Sequence, residues 1–206
     1  MSMVPERRLY NFQDNLTSED RQYYEWVNWD LVEKLPATGR HAAITEFLND
    51  EFRSEIERLG LAWVCKQAAI GVQVPQAGSR VTTRIPDVTV VTTEQWQEIL
   101  DHTAVLVDSS PLLIVEVVSE DTKLLDHRRK RAEYNVLEVP EYWVVDFLEN
   151  DPNYPPGVTV FSWVEGFYEE AIFRNNEQII SHVFPELVLT VDQILTVDAL
   201  VLNAEA

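Results

Sequence analysis

The run Leu112–Val118, LLIVEVV, is apolar at every position except Glu116. A stretch of this length, in which the side chains of both alternating faces are apolar, is typical of a central β-strand that is covered on both sides. A carboxylate in such a strand costs free energy unless it is paired, protonated or bound to a cation. The chain must therefore fold so that Glu116 meets a partner.

The segment Tyr23–Leu35 predicts a β-hairpin. YYEWVNWDLVEKL alternates as two short strands that turn near Asn28 and Trp29. The acidic residues before it would also suit a helix that begins at Thr17 or Ser18. We favour the hairpin for YYEWVNWDLVEKL.

Helical and strand-like patterns follow along the rest of the chain. Apolar residues recur at helical spacing from His41 to Leu59, and Gly60 ends that helix. DHRRKRAEYNVLEV is also helix-like, with Asp126 as its N-cap. The other predicted elements are strands in AAIGVQVP, PDVTVVT and EYWVVDF, a short helix from Thr93 to Leu100, a polar connection with Gly78 and Ser79, a hairpin that turns at Glu165 and Gly166, and a closing strand or short helix in LVLTVDQIL.

This order of elements predicts an α/β or α+β fold. Helices would flank a mixed central β-sheet, with the hairpin at the N-terminus and further strands at the C-terminus. A chain of 206 residues with 46% hydrophobic residues suits one well-packed domain. We therefore assign residues 1–16 to a tail and residues 17–206 to a single domain.

Composition excludes several classes of protein. The formal net charge of -19 disfavours a general high-affinity binder of nucleic acid, because phosphate binding is mostly electrostatic. A single cysteine, Cys65, permits no internal disulfide and is expected to be a buried, inert thiol. The N-terminus lacks the apolar core of a signal peptide, and no run approaches the roughly 20 apolar residues of a membrane span. We expect a cytoplasmic protein.

Two acidic residues occupy comparable positions in the predicted sheet. Asp87 follows Pro86 at the start of one apolar strand, and Glu116 lies within another about thirty positions later. If the strands are neighbours, the two carboxylates can share a hard divalent cation. Lys130 is four residues after Asp126 and four before Tyr134, so the three residues are expected along one helical face. Lys130 is thereby placed to stabilise negative charge at such a site.

These residues belong to a larger pattern. RIPDVTVV and LLIVEVVSEDTKLLDHRRKRAEYNVLEVPEYWVVD resemble the Uma2 family, also called DUF820, which is abundant in cyanobacteria and belongs to the PD-(D/E)XK nuclease superfamily. The resemblance extends from about Tyr24 to about Leu195. Its most specific part is the ordered set Pro86-Asp87, Glu116-Val117-x-Ser119, Asp126, Lys130, Tyr134 and Glu141-Tyr142-Trp143.

The resemblance implies a restriction-endonuclease-like core in which Asp87 and Glu116 hold Mg²⁺ or Mn²⁺ and a lysine assists. In the usual pattern of the superfamily that lysine stands two residues after the glutamate, where this chain has Val118. Uma2-like sequences resemble a variant with the lysine on the next helix, where Lys130 matches. Two other departures are Glu120, where the family often has proline, and Glu138, where it usually has glycine. A residue other than glycine at the second position is expected to strain the helix end.

Simpler roles are open for the same residues. Asp87 also suits a turn after proline, and Glu116 could pair with Arg84. Lys130 belongs to HRRKR, which suits a solvated basic face with an ordinary surface pair between Arg129 and Glu133 and is also the best candidate for a phosphate-contacting patch.

Other polar and aromatic residues receive secondary assignments. A further metal ligand or proton acceptor could come from His41, Glu33 or Glu46. The simpler assignments are a local hydrogen bond for His41 and a solvated position for Glu46. Ser119 and Asp126 are expected to brace the turn between strand and helix. Aromatic residues are expected in the core, with Tyr142 and Trp143 on opposite faces of one strand.

The sequence thus predicts a metal-dependent endonuclease that hydrolyses phosphodiester bonds in DNA. The rival is a catalytically inactive module on the same fold that binds nucleic acid or protein. A homodimer is expected only by analogy with nucleases that cut both strands. The sequence leaves the choice between DNA and RNA open.

Overall fold

The computed structural model describes residues 24–27, 30–33, 38–76, 80–120, 122–149 and 151–197. Three predicted features lie outside these residues: the tail 1–16, the hairpin turn at Asn28 and Trp29, and the connection with Gly78 and Ser79. In chain order the elements are β1 (Tyr24–Val27), β2 (Asp30–Glu33), α1 (Gly39–Leu59), β3 (Trp63–Gln67), β4 (Gly71–Gln76), β5 (Arg80–Arg84), β6 (Val88–Thr92), α2 (Thr93–Ile99), β7 (Val105–Leu106), β8 (Leu113–Val117), a π-helical segment (Leu125–Lys130), α3 (Arg131–Val136), β9 (Glu141–Asp146), β10 (Gly157–Val164), β11 (Phe167–Phe173) and α4 (Val191–Leu195).

Within the described residues the strands form two sheets. The larger sheet has the order β11-β10-β9-β8-β6-β3, and the smaller sheet has the order β2-β1-β5-β4-β7. In the larger sheet β8 and β9 run parallel, whereas the other neighbouring pairs are antiparallel. The predicted mixed sheet is therefore confirmed, and β8, which carries Glu116, is one of its central strands.

The predicted N-terminal hairpin is confirmed, and it belongs to the smaller sheet. β1 and β2 pair antiparallel in a register that sets Val27 against Asp30. β1 also pairs with β5 through Trp26 and Thr83. The hairpin thus extends the sheet that contains β4 and β5 and does not touch the larger sheet through strand pairing among the described residues.

Helix α1 ends where its sequence predicts, and it begins at Gly39, two residues before the predicted start at His41. The hydroxyl of Thr38 accepts a hydrogen bond from the backbone N–H of His41, which caps the first turn. Gly60 ends the helix with φ of 63°, a left-handed conformation that glycine adopts without steric cost. Ile44, Leu48 and Phe52 are buried on one face of α1, because their spacing places them along the same stripe.

Apolar side chains cover both faces of the larger sheet. On one face, the stripe of α1 packs against Val115, Val117 and Trp143. On the other face, α3 packs against Ile114 and Tyr142. The alternation along β8 is the expected period of two, so Glu116 projects toward the face that α3 covers. Tyr142 and Trp143 lie on opposite faces, as predicted.

The helix after β8 differs from its prediction. It begins before Asp126, and its first turns are π-helical before they continue into α3. Asp126 therefore lies inside the helix and is not its N-cap, which corrects the assignment from sequence. Ser119 does brace the turn, since its N–H donates to the hydroxyl of Thr122 at 3.1 Å and its carbonyl accepts from Lys123 N.

Three strands were not predicted. β3 lies within LAWVCKQ, β5 within RVTTR, and β7 spans only Val105–Leu106. β3 and β5 are short, with two and four polar residues of five, so no long apolar or strictly alternating run marks them in the sequence. LVLTVDQIL forms the short helix α4, which was one of its two predicted alternatives.

Candidate active site

Asp87 and Glu116 come from neighbouring strands of the larger sheet. β6 and β8 pair antiparallel with Val88 opposite Val115, so the next positions in the same register are Asp87 and Glu116. A hydrogen bond of 2.8 Å from the backbone N–H of Val117 to Asp87 Oδ2 fixes this junction. The condition on which the sequence prediction depended, that these two strands are neighbours, is met.

Asp87 is held from two sides. Besides the N–H of Val117, the imidazole Nε2 of His41 on α1 lies 3.2 Å from Asp87 Oδ2. The carbonyl of Asp87 accepts a hydrogen bond from Ala68 N. Asp87 is only 6% exposed. Its carboxylate therefore has a fixed orientation, and His41 reaches it because α1 packs across the start of β6.

Glu116 meets its partners on the helix that covers its face of the sheet. Lys130 Nζ lies 2.9 Å from Glu116 Oε2, and the hydroxyl of Tyr134 donates to Glu116 Oε1 at 2.7 Å. Lys130 Nζ is also 2.7 Å from Asp126 Oδ1. Glu116 is 2% exposed and Lys130 is 3% exposed. The carboxylate within the apolar strand is thus balanced by an ammonium group and a phenol.

The spacing of these helical residues explains how they converge. Asp126, Lys130 and Tyr134 are each four positions apart, which places them along one face of the helix, as predicted. Tyr134 was assigned to the core from sequence, and it is buried, but its hydroxyl also reaches Glu116. The signal that could have found this contact is its spacing from Lys130.

Tyr142, on strand β9, lies beside this group of charged residues. Its hydroxyl donates to the carbonyl of Asp126 at 2.9 Å. Burial raises the pKa of Tyr142 well above its ordinary value, and the negative charges of Asp126 and Glu116 add to the effect. Tyr142 therefore stays a neutral hydrogen-bond donor and contributes no charge to the site.

A second buried ion pair joins the smaller sheet to the same helix. Arg84 on β5 donates through Nε and Nη2 to the two carboxylate oxygens of Glu133 on α3, at 2.8 and 3.0 Å. Arg129 Nε lies 2.9 Å from Glu133 Oε1. Arg84 and Glu133 are both buried, so the Arg129–Glu133 contact is more than the ordinary surface pair expected from sequence. This network fixes α3, which carries Tyr134, against β5.

The Glu141-Tyr142-Trp143 part of the pattern includes a structural carboxylate. Glu141 is fully buried and accepts hydrogen bonds from the indole N–H of Trp143 and the hydroxyl of Ser181, both at 2.6 Å. It also accepts from the backbone N–H groups of His182 and Val183. Glu141 therefore anchors the segment before Phe184 to β9, a role that its position in the sequence did not reveal.

Other residues considered from sequence fall outside this group. Glu46 is exposed on α1, in agreement with a solvated position. The backbone of Glu33 ends β2, and its side chain lies outside what the structure describes. Val118, at the position of the usual catalytic lysine, is fully buried in the apolar cluster with Tyr134.

The donor set suits a hard divalent cation that is bound by few protein ligands. Among the described residues, no group of three or more His, Cys, Asp or Glu side chains is placed to hold a metal ion. Mg²⁺ is commonly bound through one or two carboxylates, with water and substrate phosphate completing the shell. Asp87 and Glu116, paired across adjacent strands, fit that kind of site, whereas an all-protein cage does not fit.

The fold is a mixed α/β architecture, and the comparisons with known proteins specify the family. The family model Uma2, described as "Putative restriction endonuclease", matches residues 10–192. The chain belongs to the Uma2 family. The predicted family and the restriction-endonuclease-like fold class are therefore confirmed.

A solved structure supports the fold independently of sequence. The crystal structure of a protein described as a putative nuclease belonging to DUF820, from Anabaena variabilis, superposes with a TM-score of 0.69 at 15% sequence identity. The match covers 90% of this chain and 97% of that chain. No curated protein matches this chain. In the described part of the chain, no helix has both the length and the apolar character that crossing a membrane requires.

Proposed function

We propose that the protein is a Mg²⁺-dependent endonuclease that hydrolyses phosphodiester bonds in DNA. The observation that carries the proposal is the pairing of Asp87 and Glu116 across β6 and β8 with Lys130 on Glu116. Membership of a family described as putative restriction endonucleases supports a nucleic-acid substrate. The choice of DNA over RNA rests on that family description.

Each residue has a distinct part in the proposed site. Asp87 and Glu116 would hold the metal ion, which when bound activates water and neutralises charge on a phosphate. Lys130 supplies a positive charge beside Glu116, where it can stabilise negative charge that develops on the reacting phosphate.

Two neighbouring residues orient these carboxylates. Tyr134 holds Glu116 by a hydrogen bond to Oε1, and His41 holds Asp87 through Oδ2. Loss of either partner would leave the carboxylate present but less fixed in orientation, so Tyr134 and His41 are positioning residues.

The test is metal-dependent cleavage by matched variants. Asp87→Asn and Glu116→Gln should abolish cleavage of DNA in Mg²⁺ or Mn²⁺ and should weaken Mn²⁺ binding measured by titration calorimetry. Asp50→Asn and Glu46→Gln make the same chemical changes at exposed positions of α1 and should retain both properties. Full cleavage by the Asp87→Asn protein would refute the assignment.

A second candidate is a binding module without catalytic activity on the same fold. It is favoured by the internal partners of both carboxylates, since Glu116 contacts Lys130 and Tyr134, and Asp87 contacts His41. In that case these contacts serve stability alone. Melting curves with and without Mn²⁺ separate the two candidates, because a cation that binds only the folded protein must raise its melting temperature.

Two further predictions concern the oligomeric state of the protein and its location in the cell. A homodimer would let two sites act on the two strands of a duplex, and sedimentation of the purified protein tests it. A cytoplasmic location also remains a prediction.

A further inference from the structure

A cavity lies on the same face of the larger sheet as Glu116. Strand register connects the two places directly, since Glu116 is opposite Val144, and Val144 is opposite Thr159 in the cavity wall. Paired residues point to the same side of a sheet, and neighbouring strands are about 4.8 Å apart, so Thr159 lies about 10 Å from Glu116. The cavity has a volume of about 280 Å³.

The cavity gathers positive charge in a strongly acidic chain. Arg128, Arg131 and Arg174 line it, and Lys123 contacts two further lining residues, Asp146 and Tyr154. These are four of the 16 basic residues of a protein with 35 acidic residues. Asp146 and Glu170 are the acidic residues in the lining, so the three arginines leave a formal excess of one positive charge, or two when Lys123 is included, before His127 is counted. Composition alone would not produce such a concentration.

The floor of the cavity is a buried and ordered network. Lys123 Nζ and His127 Nε2 lie 3.0 and 3.3 Å from the same oxygen, Asp146 Oδ2. Lys123 also donates to the carbonyl of Tyr154, and the rings of His127 and Tyr154 stack with centroids 4.3 Å apart. Lys123 and Asp146 are 7% and 2% exposed. The walls are thus fixed before any ligand arrives, which lowers the cost of binding.

The arginines are oriented but keep donor capacity. Arg131 Nη1 lies 3.0 Å from Glu170 Oε2, and its guanidinium stands 4.6 Å from the ring centre of Phe161. Arg128 Nε donates to the hydroxyl of Tyr154 at 3.2 Å. A guanidinium carries five N–H donors, so both side chains can bind a phosphate without losing these contacts.

We propose that this cavity binds a phosphate group of the nucleic-acid strand that the candidate active site cleaves. The ligand is an anionic phosphate, because three arginines line a cavity that is large enough for a small polar group. A separation of about 10 Å corresponds to about three nucleotides of duplex rise, so the bound phosphate belongs to the strand beside the cleaved bond. The proposal rests on the proposed function for the identity of the ligand.

The test measures binding without catalysis. The probe is a fluorescein-labelled single-stranded DNA of about 16 nucleotides, and its anisotropy is followed in metal-free buffer over a range of salt concentrations. The variants are Arg128→Gln and Arg174→Gln, both at exposed positions, singly and together. The control is Arg53→Gln, the same change at an exposed position of α1.

The expected result is a loss confined to the cavity variants. Each should weaken binding about fivefold to tenfold and lower the slope of log affinity against log salt by about 0.7, because one phosphate contact is lost. The Arg53→Gln protein should bind like the wild type. Equal losses in the control, or no binding of the probe by the wild type, would overturn the proposal.

Two further measurements complete the test. The first identifies the source of the phosphate, and the second separates this proposal from the proposed function. If the cavity binds inorganic phosphate but does not bind the oligonucleotide at equal concentration, the site serves a free anion and the proposal is wrong. Repeating the binding in Glu116→Gln protein removes the candidate metal ligand but should leave the loss in the cavity variants unchanged. Failure of the cleavage test would then count against catalysis alone, and normal binding by the cavity variants would count against this site alone.

Discussion

Lys130 places its ammonium group 2.9 Å from a carboxylate oxygen of Glu116, and both side chains are almost completely buried. The same ammonium lies 2.7 Å from Asp126. One cation therefore pairs with two carboxylates in an apolar setting, where each would otherwise carry a large desolvation cost. The arrangement answers why the strand tolerates a charge, and it makes Lys130 essential to the fold whether or not it takes part in catalysis.

Replacing Lys130 should reveal this structural role first. Lys130→Met keeps the length of the side chain but leaves the carboxylates of Glu116 and Asp126 without their cation. We expect the free energy of unfolding to fall by about 3 kcal/mol, as measured by urea denaturation. Adding Asp126→Asn to the same protein should recover part of the loss, because one uncompensated charge disappears. Lys66→Met on β3 removes an ammonium group that lies 4.6 Å from the ring centre of Trp96 at a partly exposed position, and it should lower stability by no more than about 1 kcal/mol.

Glu141 offers a contrasting prediction, because its carboxylate is structural. Glu141→Gln turns one acceptor oxygen into a donor that faces the N–H groups of Trp143 or His182. We expect a loss of about 2–3 kcal/mol in the free energy of unfolding, with kcat for cleavage unchanged below the melting transition. Glu169→Gln on the exposed side of β11 is the control and should be neutral. A folded Glu141→Gln protein that has lost only kcat would contradict the structural role.

Glu138 is the position where the resemblance predicted backbone strain, and the structure agrees. Its φ is 55°, just after α3, with its N–H donating to the carbonyl of Asn135. Glu138→Gly should raise the free energy of unfolding by about 0.5–1 kcal/mol, because glycine adopts this conformation without steric cost. The same substitution at Glu57, an exposed position within α1, should lower stability by about 1 kcal/mol. Thermal denaturation of the two variants decides the sign.

The elements that were predicted correctly are those with a long or regular pattern. The stripe of α1, the two-sided apolar run of β8 and the turn at Glu165 and Gly166 are each marked by a pattern within one segment of the sequence. β3 and β7 depend instead on pairing with segments that are not adjacent in the chain, and β5, although it pairs with its neighbour β4, has a single apolar residue, Val81. Propensity and periodicity are local, so they carry little information on such strands.

The site was predictable in its residues more than in its contacts. The spacing of Asp126, Lys130 and Tyr134 predicted a shared helical face, and the strand pairing of Asp87 and Glu116 followed if their strands were neighbours. The contact between His41 and Asp87 depends on how α1 crosses the sheet, and the contact between Arg84 and Glu133 joins residues 49 positions apart. Such contacts are set by tertiary packing, so local spacing could not have revealed them.

Cys65 supplies a prediction about stability at alkaline pH. Burial raises the pKa of its thiol from about 9 to about 12. Between these values the folded protein keeps the proton and the unfolded chain releases it, so unfolding is favoured as the pH rises. The contribution of the thiol to stability is complete below pH 9 and is lost as the pH approaches 12.

Relative to a Cys65→Ala protein, the wild type should therefore lose about 1.4 kcal/mol of unfolding free energy per pH unit in this window. Urea denaturation of both proteins at matched pH values measures the difference, in which the titration of lysines and tyrosines cancels. A difference that stays constant across the window would mean that the thiol is accessible to solvent in the folded protein.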